Sequence, residues 1–267
     1  MMKKTLVLSV AAATFMTAVV AFIPATLIES AVNPRIMPTT RLQVTGGTIW
    51  AGTANVIVAG ATPQLQDVPL EIPVKWSVAP SSLLRLRLGF DVIASGRQFN
   101  GSWTAEAGLF DLQLRNMDVT IAMELLARIR RELSLFQPRG EFQLTSVGPA
   151  FTVDYAAPHA MAGRLNFAAN HIRIQSIGGL PISAPLGSYH GNLMFEPQRV
   201  SYQIEKSSGM LALNGGGHVV LGKTNEFRYQ GFASAPAGSP AWVASLLGRV
   251  GRLAPDGRVN IDYKTSW

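Results

Sequence analysis

The chain alternates apolar and polar residues with period two, and this limits its fold more than any other feature. Val68, Leu70, Ile72, Val74, Trp76 and Val78 alternate with Pro69, Glu71, Pro73, Lys75 and Ser77. Leu84, Leu86, Leu88, Phe90 and Val92 do the same with Arg85, Arg87, Gly89 and Asp91. Successive side chains of a strand point to opposite faces, so each run reads as a strand with one buried and one wet face. Phe110/Leu112/Leu114, Phe151/Val153/Tyr155, Val200/Tyr202/Ile204 and Val259/Ile261/Tyr263 repeat the pattern. Turn signals such as Asn100-Gly101 and Asp256-Gly257 fall between runs. The expected fold class is mainly β, an antiparallel meander. Pro69 and Pro73 share a parity, so both missing N–H groups face one neighbour, and that strand is expected at a sheet edge. Prolines there guard the edge against aggregation; strand addition by a partner is the alternative.

The amino-terminal segment follows other rules. Lys3 and Lys4 precede an uncharged stretch from Thr5 to Ile28, ended by Glu29. Its core, Thr5 to Ile23, corresponds to roughly 28 Å of helix, close to the thickness of a bilayer's hydrocarbon. The two lysines place the amino terminus in the cytoplasm and the rest of the chain across the membrane. A cleavable signal peptide ending near Val19-Val20-Ala21 is the competing reading, against which the apolar run is long and continues through Phe22 and Ile23. The expected organisation is a cytoplasmic start over 1–4, a transmembrane signal-anchor over 5–28, and two exported β halves, 29–155 and 156–267.

Two exported stretches read as amphipathic helix. Thr120 to Phe136 puts Ile121, Leu125, Leu126, Ile129 and Leu133 on one face. The second starts with Ser239 as N-cap and Pro240 at the first helical position, followed by Trp242, Val243, Leu246, Leu247 and Val250. The two regions look alike. Leu125-Leu126-Ala127-Arg128-Ile129 lines up with Leu246-Leu247-Gly248-Arg249-Val250, and Pro138 to Leu144 with Pro255 to Ile261. Upstream, Gly47 to Val58 lines up with Gly163 to Ile174, and Phe99-Asn100-Gly101 with Leu213-Asn214-Gly215. An internal duplication follows, giving one continuous curved sheet or two stacked modules.

Composition narrows the chemistry. The 267 residues include no cysteine, which excludes disulfides, thiolate nucleophiles and Cys-based metal centres. Net charge is +7, but only 15% of residues are charged, so the dense basic face that nucleic acid requires is missing. The cluster Arg128, Arg130 and Arg131 reads as a solvated helix face. His159, His171, His190 and His218 have no zinc-type spacing, no Gly-x-Ser-x-Gly elbow occurs, and no Ser/His/Asp set can be drawn. Gly215-Gly216-Gly217 precedes a strand-like His218-Val219-Val220-Leu221, so it reads as a bulge or hairpin turn and not a phosphate loop. No catalytic residue, cofactor or metal is expected.

Gly46-Gly47-Thr48-Ile49-Trp50-Ala51-Gly52-Thr53-Ala54 and Trp76-Ser77-Val78-Ala79-Pro80 resemble the motifs of the type II secretion system protein N family, general secretion pathway protein N (GspN). The short start, single anchor and terminal Asp256-Gly257-Arg258 strand match its layout as well. The residues that carry the resemblance are Gly47, Trp50, Gly52, Trp76, Pro80 and Gly257. It implies a non-enzymatic accessory component in the inner membrane of a Gram-negative bacterium, its periplasmic domain meeting other secretion components or an exoprotein. It also implies kinship with AsmA-like envelope proteins, some of which handle lipid. A lipid-binding β-groove is therefore the alternative function. From the residues alone, the glycines are expected to serve backbone geometry and Trp50 and Trp76 to fill the core face.

Overall fold

The computed structural model describes residues 22–35, 40–59, 69–79, 82, 84, 86–129, 137–156, 161–177, 180–220, 225–250 and 254–266. Its described strands form one 14-stranded sheet. The first half comprises β1 (Thr40–Gly47), β2 (Ala51–Val58), β3 (Leu70–Val78), β4 (Leu88–Ser95), β5 (Phe99–Ala107), β6 (Asp111–Ala122) and β7 (Pro138–Ser146). The second comprises β8 (Phe151–Asp154), β9 (Met161–Ile177), β10 (Leu180–Glu196), β11 (Arg199–Ser208), β12 (Ala212–Val220), β13 (Glu226–Ser234) and β14 (Arg258–Ser266). Strands follow chain order across the sheet, except that short β8 stands aside and pairs β6 and β9 while β7 pairs β9 directly. All pairings are antiparallel. The sheet is thus continuous through the middle of the chain, not two stacked modules.

Helix α1 (Thr26–Val32) precedes β1, with a 3-10 turn at Asn33–Arg35. Helix α2 (Met123–Ile129) connects β6 to β7, and α3 (Ala241–Val250) connects β13 to β14. The order of six strands, a helix and a strand therefore occurs twice, from β1 or β8.

The register keeps one apolar face across the sheet. Ile72 on β3 faces Val56 on β2, Val74 faces Ala54 and Ala94, and Trp76 faces Gly52 and Val92. Farther along, Leu144 faces Val119 and Phe167, and Leu193 faces Leu165 and Tyr202. A one-residue slip would turn each apolar set to the wet side. The sequence itself contains such parity changes, since Leu112 and Leu114 are followed by Val119 and Ile121, and Leu165 and Phe167 by Ile172 and Ile174. Bulges absorb them. One extra residue of β6 stands opposite β5 between the pairs Thr104↔Arg115 and Ser102↔Asp118, and one of β9 opposite β10 between Tyr189↔Ala169 and Gly187↔Ile172. Asn116 and His171, at these two places, have left-handed backbones with φ of 50° and 53°. In each bulge a backbone N–H is taken by a neighbouring serine: Met117 N–H donates to Ser146 Oγ at 2.9 Å, and His171 N–H to Ser188 Oγ at 3.0 Å.

Several expectations are corrected. The strand beginning at Leu84 starts instead at Leu88, because Ser82 folds the chain back. Its N–H and hydroxyl both donate to Ala79 O, at 3.1 and 2.6 Å, and Arg87 N–H donates to Ser82 O at 3.2 Å. Leu84 and Leu86 are left outside the ladder. β3 is not an edge strand, since β2 and β4 flank it. Its pairing with β4 covers only Val74–Val78, so Pro73 stands just past the end of that ladder, where no N–H is required. Thr120–Ala122 complete β6 and do not open the helix, because the ladder with β7 holds them. Ser239 does not cap α3; its hydroxyl donates to Met210 O at 2.9 Å. Arg130, Arg131 and Leu133 lie outside the described residues.

Each long connection lays its helix on the apolar face at the same end of the strands. Leu125 of α2 joins Ile72 and Ala94 in a cluster edged by Val56, Phe99, Trp103 and Ile121. Val243 and Leu247 of α3 join Ala233 and Val259, edged by Leu211, Leu213, Trp242 and Ile261. The two clusters share no residue. Leu125→Ala and Leu247→Ala should each cost about 2–5 kcal/mol in denaturant unfolding. Combined, their costs should add to within about 0.5 kcal/mol, as for sites that share no partner.

Candidate functional site

The residues singled out in the first half meet at one turn. β1 ends at Gly47, whose backbone is left-handed (φ 95°), and the chain reverses through Thr48, Ile49 and Trp50 into β2. Thr48 N–H donates to Ala51 O at 2.8 Å and closes the turn. Gly52 lies opposite Trp76, and a Cβ on Gly52 would run into that indole ring and into Gly46 O. Trp76 Nε1 in turn donates to Ile49 O at 3.2 Å, and Val78 N–H to Trp50 O at 2.7 Å. Both tryptophans are half-buried. Trp76 thus spans the turn of the adjacent hairpin from β3. Pro80 lies outside the described residues. Gly257 sits far off in the turn before β14, left-handed at φ 77°, with open space where a Cβ would stand.

A third strand-like segment docks on this turn. Pro24 forms a bridge with Thr48, Ala25 N–H donates to Gly47 O at 3.2 Å, and Ile49 N–H donates to Ile23 O at 3.0 Å. Ala25 is buried. Residues 1–21, most of the expected anchor, lie outside the described residues. Among the described residues no helix is long and apolar enough to cross a membrane.

From Ala25 the chain returns along the outer side of β1, which among the described strands pairs only with β2. Side chains of this segment take the place of a missing neighbour strand. Val44 N–H donates to Glu29 Oε2 at 3.0 Å, Leu42 N–H donates to Asn33 Oδ1 at 2.8 Å, and Asn33 Nδ2 donates back to Leu42 O at 3.0 Å. An edge strand's exposed donors and acceptors are a template for unwanted pairing, and here the N–H and C=O of Leu42 and the N–H of Val44 are occupied. Sequence reasoning looked for the guarded edge at Pro69 and Pro73. The useful signal was polar Glu29 and Asn33 spaced four apart, one on the short helix and the other at its C-cap, both turned toward β1.

A polar network ties the tips of the next hairpins together. Arg87, at the start of β4, grips Asp111, at the start of β6, through Nη2 with contacts of 2.9 and 3.1 Å. Gln113 Nε2 donates to Asp111 Oδ2 at 3.0 Å, Arg115 Nη2 to Gln113 Oε1 at 2.9 Å, and Arg115 Nε to Glu106 Oε2 at 3.1 Å. Glu106 is buried. The hydrogen bonds from Gln113 and Arg87 hold the Asp111 carboxyl below its ordinary value of 3.8.

A family model described as type II secretion system (T2SS), protein N, matches residues 39–262. The chain belongs to the type II secretion system protein N family. No curated protein and no solved structure matches it. The matched range runs from β1 into β14, so the protein N homology covers the sheet as a whole, and the docking turn of Gly47, Trp50, Gly52 and Trp76 stands at its beginning. Chemistry-bearing groups are scattered in this protein N chain. His171, His190 and His218 stand on β9, β10 and β12, His159 lies outside the described residues, and among the described residues no cluster of His, Asp and Glu could hold a metal. Gly215–Gly217 form neither turn nor bulge but lie within β12, where the phenol of Tyr202 crosses them to donate to Arg228 O at 3.1 Å. Tyr202 stacks on Phe227 and Tyr229 at centroid distances of 5.9 and 6.4 Å. Aromatic rings thus cover the three-glycine stretch of β12 that lacks side chains of its own.

Gly52→Ala should cost about 1–3 kcal/mol by overpacking against Trp76. Gly257→Ala meets no atom and should cost only the left-handed backbone, about 1–2 kcal/mol; denaturant midpoints of the two variants give the comparison. Asp111's lowered value means its stabilisation is present above its unfolded value of about 3.9 and is lost as pH falls through the folded one. Asp111→Asn should therefore melt below the parent at pH 7, and the gap should narrow as pH falls below the ordinary carboxylate range.

Proposed function

We propose that the chain is a non-catalytic component of the type II secretion machinery, held in the inner membrane by residues 5–23, shorter than the expected 5–28 because Pro24–Ile28 lie against the β1–β2 turn and in α1, with its amino terminus in the cytoplasm and its sheet in the periplasm. The sheet offers other secretion components, or an exoprotein, a contact surface made of backbone edges and turns. The observation that carries this reading is the family match across the whole sheet, residues 39–262, together with functional groups dispersed over separate strands. Family members are secretion components, and among the described residues His171, His190 and His218 stand on separate strands. The two halves, 29–155 and 156–267, are on this reading duplicated copies of one module, supported by the repeated element order and by the two helix-capped clusters.

A second reading is favoured by the unbroken apolar face. The described helices on it, α2 and α3, lie at one end, and many of its residues, among them Val74, Val92, Phe167, Leu193 and Tyr202, are half-buried. Such a surface suits an acyl chain in an AsmA-like groove.

Photo-cross-linking in intact cells from Arg41 beside the first edge and Asn260 on the last, with adducts identified by mass spectrometry, tests the first reading. Another type II secretion component is the expected adduct. Lipid as the only adduct supports the groove instead, and no adduct from either edge overturns the contact role.

A further inference from the structure

We propose that the rim of the sheet formed by the β1–β2, β3–β4 and β5–β6 connections rests in the surface of the lipid bilayer, so that the protein contacts the membrane with turns as well as with its anchor. The inference rests on the reading of residues 5–23 as a membrane segment.

Antiparallel order puts these three connections at the same end of the strands, and α2 and α3 at the other. Large apolar side chains stand in water along that end: Phe22 is 78% exposed, Leu84 90%, Leu86 94%, Leu109 87% and Phe110 79%. Single exposed apolar residues need no explanation, but a row of five on adjacent tips does. The row covers the end of the sheet from the β1–β2 turn to the β5–β6 turn, about 19 Å at four strand spacings. They are not frayed ends. Arg87 and Asp111 lock the β4 and β6 starts on which Leu86 and Phe110 are carried, and Tyr155 N–H donates to Phe110 O at 3.0 Å.

Connectivity selects a bilayer as the occupant. Ile23 is the last residue of the apolar core Thr5–Ile23, and its carbonyl accepts the N–H of Ile49 at the tip of the β1–β2 turn. No linker separates the membrane segment from the sheet. A membrane segment that leaves the hydrocarbon at Phe22 brings the β1–β2 turn to the interface, and the apolar tips of the next two hairpins stand at the same end of the sheet beside it, the register carrying them farther outward. Aliphatic and aromatic side chains over a polar layer are what the boundary between headgroups and acyl chains accommodates.

The absence of cysteine allows single-cysteine labelling of the full chain. Ala11→Cys, Leu86→Cys, Phe110→Cys and Ala237→Cys, the last in the exposed connection before α3 at the opposite end, would each carry an environment-sensitive fluorophore. The labelled proteins are reconstituted in phosphatidylethanolamine and phosphatidylglycerol vesicles with nitroxide-bearing lipids. Blue-shifted emission and strong quenching are expected at positions 11, 86 and 110, and neither at 237. Quenching at 11 but not at 86 or 110 overturns the rim contact and leaves the anchor standing. Quenching at 86 and 110 but not at 11 supports the contact while removing the anchor. No quenching at any of 11, 86 and 110 overturns both, and equal quenching at 237 shows a sheet lying flat, which also overturns the rim contact.

Discussion

Every feature of this molecule depends on keeping one face of a very wide sheet apolar. Period-two alternation accomplishes that within a strand, but neighbouring strands must also agree in register, and a single residue of slip reverses a strand's faces. The chain changes parity within β6 and β9, and it stays one-faced because a bulge sits at each change. Both bulges hold a left-handed residue, Asn116 or His171, and both hand a released N–H to a serine of the adjoining strand. Without the first, Leu112 and Leu114 would face the side opposite Val119 and Ile121, and without the second, Leu165 and Phe167 the side opposite Ile172 and Ile174.

A sheet that does not close has two edges, and the first of them explains the layout of the amino-terminal segment. The chain enters beside the β1–β2 turn, crosses to the outside of β1, and satisfies Leu42 and Val44 with the side chains of Asn33 and Glu29. One short segment therefore does two things at once. It occupies an edge that would otherwise recruit a strand, and it fastens Ile23–Ala25 to the β1–β2 turn. Trp76 packs on Gly52 and donates to Ile49 O in the turn that receives it, so these residues of the protein N motif shape the place where the chain enters the sheet.

The apolar face is only partly covered. Helices α2 and α3 each close one patch, around Leu125 and around Val243 and Leu247, and they do so at the same end of the strands. The remainder is lined by half-buried aliphatic residues and by the stacked rings of Tyr202, Phe227 and Tyr229 over the glycines of β12. A secretion component with such a surface is suited to broad contacts of modest chemistry, in keeping with functional groups that are spread over many strands.

The amino-acid order alone determined the mainly β antiparallel class, the positions of most strands, the two helices and the family, because alternation, turn residues and short motifs are local properties. Composition likewise excluded thiol chemistry without reference to any fold. Which strand forms an edge was not legible: Pro73 looked like an edge guard, yet it stands where the β3–β4 ladder stops, and that depends on the length of a partner strand. Nor could Leu84 and Leu86 be told from strand residues, since the turn that expels them is closed by Ser82 and Ala79, contacts set by three-dimensional proximity. The same holds for Ser239, whose hydroxyl prefers Met210 O to the helix it precedes, and for Gly215–Gly217, which look like a turn until the neighbouring tyrosines are seen to lie across them. Local patterning specifies what each segment is; only packing decides which segments become neighbours, and the docking of Ile23 on Ile49 is a decision of that second kind.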